Sequence, residues 1–286
     1  MRNKPLYILT ENLNFFYKIN KRLIEKKIKA EILNPGNKIP NAPSIILTTR
    51  NEFEKYFNKD LKVNFLVYSK SENFELYLLR VIAAYRIEYK NNYLSLTFSI
   101  DPGKKIGLMI FLDDYYLDSF CCYEKDQLLE ALRNFIHTFQ DNNPNLMVLT
   151  FKLGTGVPLF TYNLIENIFK FLHGRKNVNI FLINEYKSSK MRIIKKQKGR
   201  NLSKDEISAL ILAFRKGIEV NEKNYDSIYK QKGLNKLQND LEFKRNFEKI
   251  DENINKLGEI AEKVLRGEIS LKESTRIIKE IRNYSS

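Results

Sequence analysis

The first ninety residues alternate short apolar runs with stretches of helical spacing. Leu6-Tyr7-Ile8-Leu9 is the first run, and Asn12 to Lys27 follows with Phe15, Ile19, Leu23 and Ile24 on one face. Ala30 to Leu33 is a second run, stopped by Asn34-Pro35-Gly36. Ser44-Ile45-Ile46-Leu47 and Val63-Asn64-Phe65-Leu66-Val67 are two more, with a short helix over Asn51 to Phe57 between them. Ser71 to Arg86 reads as a Ser-capped helix with Phe74, Leu78, Val81 and Ile82 inward. Strands alternating with helices predict a parallel sheet covered by helices, in a receiver-like or Rossmann-like layout over residues 1–90. It carries no Gly-rich phosphate loop and no paired acids after the first strand, so binding or scaffolding is its expected role.

Residues 91–219 read differently. Tyr93 to Ile100 alternates like a strand and ends in Asp101-Pro102-Gly103-Lys104-Lys105-Ile106-Gly107. Leu108 to Leu112 is a second strand, Asp113-Asp114 a turn, and Tyr116 to Tyr123 a third strand, so a meander is expected. Then follow a helix from Asp126 to Phe139, a strand over 146–151, the loop Gly154-Thr155-Gly156-Val157-Pro158, a helix over 158–172, a strand over 178–183, a basic linker and a helix over 204–216. Residues 220–286 repeat apolar positions at three- and four-residue steps (Leu234, Leu237, Leu241, Ile254, Leu257, Ile260, Val264) and predict a helical extension. Packing on the domain is its first reading, and a homodimer contact through these helices its second.

Length and composition agree with this division. At about 100–200 residues per domain, 286 residues suit two domains and an appendage. Two cysteines, adjacent at Cys121 and Cys122, exclude a disulfide scaffold and a four-cysteine zinc site, and two distant histidines exclude a His-rich metal centre. No run of about 18 apolar residues predicts a membrane span. The start has no signal-like apolar region, so a cytoplasmic protein without membrane contact is expected. Net charge is +15. It is divided as +8, +5 and +2 over 1–97, 98–220 and 221–286. That excess suits a polyanion, most economically nucleic acid, DNA or RNA.

Three acids stand where chemistry is expected. Asp101 ends an apolar strand before Pro-Gly, and Glu185 ends the buried strand 178–184; open α/β sheets place sites at such strand ends. Asp205 follows Ser203, whose pairing with Glu206 reads as a capping box; the capping explains Glu206 better than Asp205. Carboxylates converging from separate elements suit Mg²⁺ or Mn²⁺, which take hard oxygen ligands and assist phosphodiester hydrolysis. Lys104 and Lys105 follow Asp101 at once. Lys187, Lys190, Arg192, Lys195, Lys196, Lys198 and Arg200 form a basic stretch without an acid, suited to holding phosphates. Lys152 is a further candidate phosphate contact. Thr155 reads first as the cap of the helix begun at Pro158 and second as a hydrogen-bond partner of a phosphate. Cys121-Cys122 reads as structural.

These residues resemble a family. Asp101-Pro102-Gly103-Lys104-Lys105-Ile106-Gly107, the block 151–160, Asn184-Glu185-Tyr186-Lys187-Ser188-Ser189 and the helix from Asp205 to Gly217 are similar, in order and spacing, to the motifs of RuvC- and YqgF-type Holliday-junction resolvases of the ribonuclease-H-like superfamily. The resemblance covers about residues 93–217. It implies a ribonuclease-H-like mixed sheet with helices. It also implies a metal-dependent endonuclease acting on structured nucleic acid such as branched DNA, and Asp101, Glu185 and Asp205 as metal-binding catalytic carboxylates. A Glu that the family carries at the end of the next strand is absent near Lys152, and Tyr186 replaces an Arg. A catalytically inactive ribonuclease-H-like module, binding nucleic acid or protein, is therefore the alternative, and an actin-like ATPase is a more distant one, lacking a second related domain.

Overall fold

The computed structural model describes residues 4–34, 36, 38–40, 42–56, 62–141, 143–185, 196–197, 200–225, 227 and 254–284. Two sheets organise it. The first has four strands, β1 (Leu6–Leu9), β2 (Glu31–Leu33), β3 (Ser44–Thr49) and β4 (Val63–Tyr68), in the order β2-β1-β3-β4, every pair parallel. Helix α1 (Leu13–Glu25) links β1 to β2, α2 (Arg50–Tyr56) links β3 to β4, and α3 (Phe74–Arg86) follows β4. Contacts group residues 1–92 with 134–142 as one compact unit, and residues 93–133 with 143–286 as the other.

In the first unit the cause of each helix is local. Asn12 caps α1 by accepting from the Phe15 amide, and Phe15, Ile19 and Leu23 are buried, while Ile24, expected on the same face, is exposed. Helix α3 begins at Phe74 rather than Ser71, because Asn73, not Ser71, caps it: the Asn73 side chain accepts from the Glu75 amide at 2.8 Å. The Ser71 hydroxyl instead bonds that of Ser69. Four aromatic rings, Phe15, Tyr68, Phe74 and Tyr77, meet under α1 and α3, and the buried Tyr77 hydroxyl donates to Leu66 O.

The second sheet has six strands: β5 (Ser95–Asp101), β6 (Ile106–Leu112), β7 (Tyr115–Cys122), β8 (Val148–Gly154), β9 (Val178–Ile183) and β12 (Ile218–Val220), in the order β12-β9-β8-β5-β6-β7. Strands β5, β8 and β9 are parallel; β6, β7 and β12 join antiparallel. The meander turns at Asp113 and Asp114, both with positive φ, a conformation Asp tolerates. Strand β12 was not foreseen, since three residues are too short for a periodicity signal; it pairs with β9 through Ile218, Glu219 and Val220. A two-residue pair, β10 (Lys196–Gln197) and β11 (Arg200–Asn201), lies in the basic linker.

Helices α4 (Lys125–Gln140), α5 (Pro158–Phe171) and α6 (Lys204–Phe214) follow the predicted positions to within a few residues, and α7 (Ile254–Leu265) and α8 (Leu271–Tyr284) close the chain. Strand alternation splits the sheet by face. Phe98 and Phe151 stack on one face, with ring centroids 5.2 Å apart. Thr97, Ser99 and Asp101 lie on the other, where the Ser99 hydroxyl donates to Ala209 O of α6. Helix α6 is buried along most of its length, with Ile207, Leu210, Ile211 and Phe214 in one core with Met109, Phe111 and Tyr116. Leu257, Ile260, Ala261, Val264 and Leu265 of α7, with Leu271 and Ile278 of α8, belong to that core. The apolar faces of α7 and α8 are thus spent within their own unit, while the earlier extension residues Leu234, Leu237 and Leu241 lie outside the described residues. No helix among the described residues is long and apolar enough to cross a membrane.

Candidate functional site

Register aligns the three strand ends that matter. Ile100 of β5 pairs with Leu153 of β8, and Gly154 pairs with Ile183 of β9, so Asp101, the Gly154 loop and Glu185 share the C-terminal edge of the parallel strands. Across the meander Asp101 faces Gly107. A Cβ on Gly107 would collide with the Asp205 carbonyl, so that glycine is what lets the start of α6 sit against the strand. The capping box fixes the same helix end: Ser203 accepts from the Glu206 amide, and Glu206 accepts from the Ser203 amide. The Ser119 hydroxyl donates to the buried Glu206 carboxylate at 2.8 Å, tying the cap to β7. Asp205, one residue earlier in the first turn, is left at the strand edge.

The structure therefore brings Asp101, Glu185 and Asp205 together from three elements. Burial pushes the Asp101 carboxyl from 3.8 to about 8, and the negative charges of Glu185 and then Asp205 push in the same direction. A hydrogen bond from Ser208 and the charge of Arg215 oppose the rise. Glu185 is also raised from its ordinary value by burial, against the Gly156 amide and Arg215. Its Oε1 accepts from the Gly156 N–H at 2.7 Å. A Cβ at Gly154 or Gly156 would collide with this carboxylate, so the Gly154-Thr155-Gly156 loop is a close-fitting seat for Glu185. Among the described residues, no three His, Cys, Asp or Glu side chains stand at metal-holding spacing as they are.

Several expected contacts fall elsewhere. Lys152 is turned away from the three acids: it is half-buried under α6, where its ammonium donates to Ala213 O and, at 2.9 Å, to Arg215 O. Removal from water lowers its pKa from 10.5 to about 8. The reason is strand alternation, which points Lys152, beside Ser99, at the carbonyl end of that helix. Thr155 is not the cap of α5; its amide and hydroxyl both turn to Ile183 O, and α5 starts at Pro158 without a side-chain cap. Lys104 and Lys105 are exposed on the turn beside Asp101, and the Lys105 ammonium lies 5.2 Å from the centre of the Tyr123 ring. Lys187, Lys190, Arg192, Lys195 and Lys198 lie outside the described residues. Lys196 and Arg200 are placed only as members of the β10–β11 pair. Cys121 bonds the Ser203 hydroxyl and Cys122 is buried; burial raises the pKa of both thiols.

Two residues of consequence escaped the sequence reading. Arg215, only 5% exposed, donates to Asn184 O at 2.5 Å and places a positive charge beside Asp101 and Glu185. Nothing in Phe214-Arg215-Lys216-Gly217 distinguishes it from a solvated arginine. Glu52 is the other. In the first unit it fills the crevice beyond the C-terminal ends of β1 and β3, the switch point where a ligand would bind. Its carboxylate accepts from Thr10 Oγ1, the Glu11 amide, the Thr49 amide and Thr49 Oγ1, and these bonds hold its pKa below the usual range despite burial. The Thr49-Arg50-Asn51-Glu52 run, a capping-box spacing at the start of α2, is the signal that the sequence offers. In comparison with known proteins, the chain matches no family model and no curated protein.

Proposed function

We propose that the second unit is a ribonuclease-H-like, metal-dependent endonuclease acting on structured nucleic acid. The observation that carries this is the convergence of Asp101, Glu185 and Asp205 at one strand edge, with Asp101 held at about 8 by burial and its two acidic neighbours. An antiparallel meander feeding parallel β8 and β9 supports the fold reading. The donor set fits Mg²⁺ or Mn²⁺: three hard carboxylates whose mutual repulsion a divalent cation would relieve. Asp101, Glu185 and Asp205 would hold it. Bound there, the ion would supply Lewis acidity at a phosphodiester and lower the pKa of water.

The chain's own groups do the rest. Ser208 orients Asp101, the Gly156 amide orients Glu185, and Arg215 lowers the negative potential that an incoming phosphate meets. Lys104 and Lys105, exposed beside Asp101, hold the backbone by charge. The second reading, an inactive nucleic-acid- or protein-binding module, is favoured by Gly154, which ends β8 where the resembled family carries a fourth acid.

The test is cleavage of labelled four-way junction, duplex and single-stranded DNA and RNA with Mg²⁺ or Mn²⁺, wild type beside Asp101→Asn. Cleavage lost in the variant with binding retained is expected. Binding without cleavage by either protein would replace this reading with the inactive module.

A further inference from the structure

A recess lined by charged side chains lies in the same unit, away from the three acids. It opens on the α6 face of the six-stranded sheet, at the N-terminal halves of β5 and β8, where Thr97 and Thr150 form its floor. Thr97 is four residues before Asp101, about 13 Å along the strand at about 3.3 Å per residue. Helix α8 forms the opposite wall. The cavity is about 660 Å³, within the range of about 300–1,000 Å³ typical of small-molecule sites.

Its lining is basic. Lys272, Arg276 and Lys279 are spaced by four and three residues, which places them on one face of α8, and all three line the cavity. Lys152 lines it from the sheet. Against these four cations stand Asp114 and Glu273. Burial pushes the Asp114 carboxyl above its ordinary value while the charges of Lys272 and Lys152 pull it down, so Asp114 offsets part of that positive charge and leaves the cavity net basic. The Glu280 carboxylate lies 3.9 Å from Arg276, an exposed i,i+4 pair of the kind worth little. Lys152 donates to two helix carbonyls and burial lowers its pKa, so it adds a weaker charge at the cavity floor than the three cations of α8. A cavity that gathers four cations, one of them the forked Arg276 guanidinium, above the Thr97 and Thr150 floor has the chemistry to take a phosphate bidentately.

We propose that this cavity binds a phosphorylated small molecule of about nucleotide size, with Lys152, Lys272, Arg276 and Lys279 around its phosphates. The concave shape between sheet and helix favours a compact ligand over a nucleic-acid strand, whose regularly repeating phosphates need an open track. The inference stands on residues separate from Asp101, Glu185 and Asp205 and does not depend on nuclease activity.

The test is isothermal titration of the full chain with ADP and with inorganic pyrophosphate, against chloride at matched ionic strength and a short single-stranded oligonucleotide. Saturable binding of about one ADP per chain is expected. Lys272→Glu and Arg276→Glu, on the solvent-facing helix, should each weaken it by about tenfold, as expected for loss of a charged hydrogen bond. Lys170→Glu, exposed on α5, should leave it unchanged. Lys152→Met should also weaken binding, and the two α8 variants decide the matter if that substitution unsettles the core. Absence of saturable binding overturns the proposal. So does equal loss with Lys170→Glu, or binding of the oligonucleotide alone.

Discussion

Asp101→Asn should make the metal-free protein more stable at alkaline pH. The carboxyl titrates near 3.8 in an unfolded chain and near 8 in the fold. Below about pH 4 it is protonated in both states and costs nothing. Between pH 4 and 8 the folded chain keeps a proton that the unfolded chain has lost, so stability falls as pH rises through that window. Above 8 the full cost is reached. At about 1.4 kcal/mol for each pH step of one, the rise from 3.8 to about 8 sets a ceiling of about 6 kcal/mol. Asp101 keeps some solvent contact, and water at the strand edge screens part of the repulsion. A gain of about 2–3 kcal/mol at pH 8.5 is therefore expected. Asparagine retains an oxygen for the Ser208 hydroxyl, so the substitution removes charge without orphaning that donor. Urea unfolding in chelator from about pH 4.5 to 8.5 measures the difference. Adding Mg²⁺ should stabilise the wild type and close the gap, because the ion binds the folded state of the acidic protein alone. A variant no more stable than wild type at pH 8.5, or a difference independent of pH, would refute the claim that the three acids repel one another.

Other substitutions probe the supports around the two carboxylate sites. Glu52→Gln turns an amide donor toward backbone donors and should cost about 2–4 kcal/mol at pH 7. Because the folded pKa of Glu52 is lowered, its contribution is present above 4.5 and lost as pH falls, so urea midpoints of the two proteins should approach each other in acid. Gly156→Ala puts a methyl where the Glu185 carboxylate sits; cleavage should fall by about a hundredfold through misplacement of that group, with about 1–2 kcal/mol lost in unfolding assays. Arg215→Gln removes the buried charge that offsets Asp101 and Glu185 and should cost about 3 kcal/mol at pH 8. Combined with Asp101→Asn, the loss should be smaller than the sum of the two separate effects predicts, and thermal or chemical unfolding of the four proteins gives the coupling directly.

The alternation of short apolar runs with helical spacing is enough to place β1, β3, β4, α1 and α3: the strands are compact apolar runs, buried on both faces in β3, and each helix buries a regular stripe. The order of the second unit was also readable, since a meander and two strand–helix repeats differ in period and in turn residues. What periodicity does not carry is short pairing and exact caps. Strand β12 exists because β9 offers a free edge, a fact about the sheet and not about Ile218-Glu219-Val220. The start of α3 depends on which of two nearby polar side chains reaches an amide, and Asn73 stands at the right distance where Ser71 does not.

The acids and their counter-charges differ in legibility for a related reason. Asp101, Glu185 and Asp205 follow or precede strong apolar elements, so their positions at strand and helix ends can be inferred before any contact is known. Lys152 and Arg215 are also next to apolar elements, yet basic side chains are long, and the atom that matters lies several bonds from the backbone. Lys152 folds inward onto the end of α6, and Arg215 reaches from that same end to Asn184. The two are linked: the Arg215 carbonyl receives the Lys152 ammonium while the Arg215 guanidinium steadies the residue before Glu185. One helix terminus therefore joins the basic cavity under α8 to the acidic strand edge, through two cations that look, in the sequence, like ordinary surface charge.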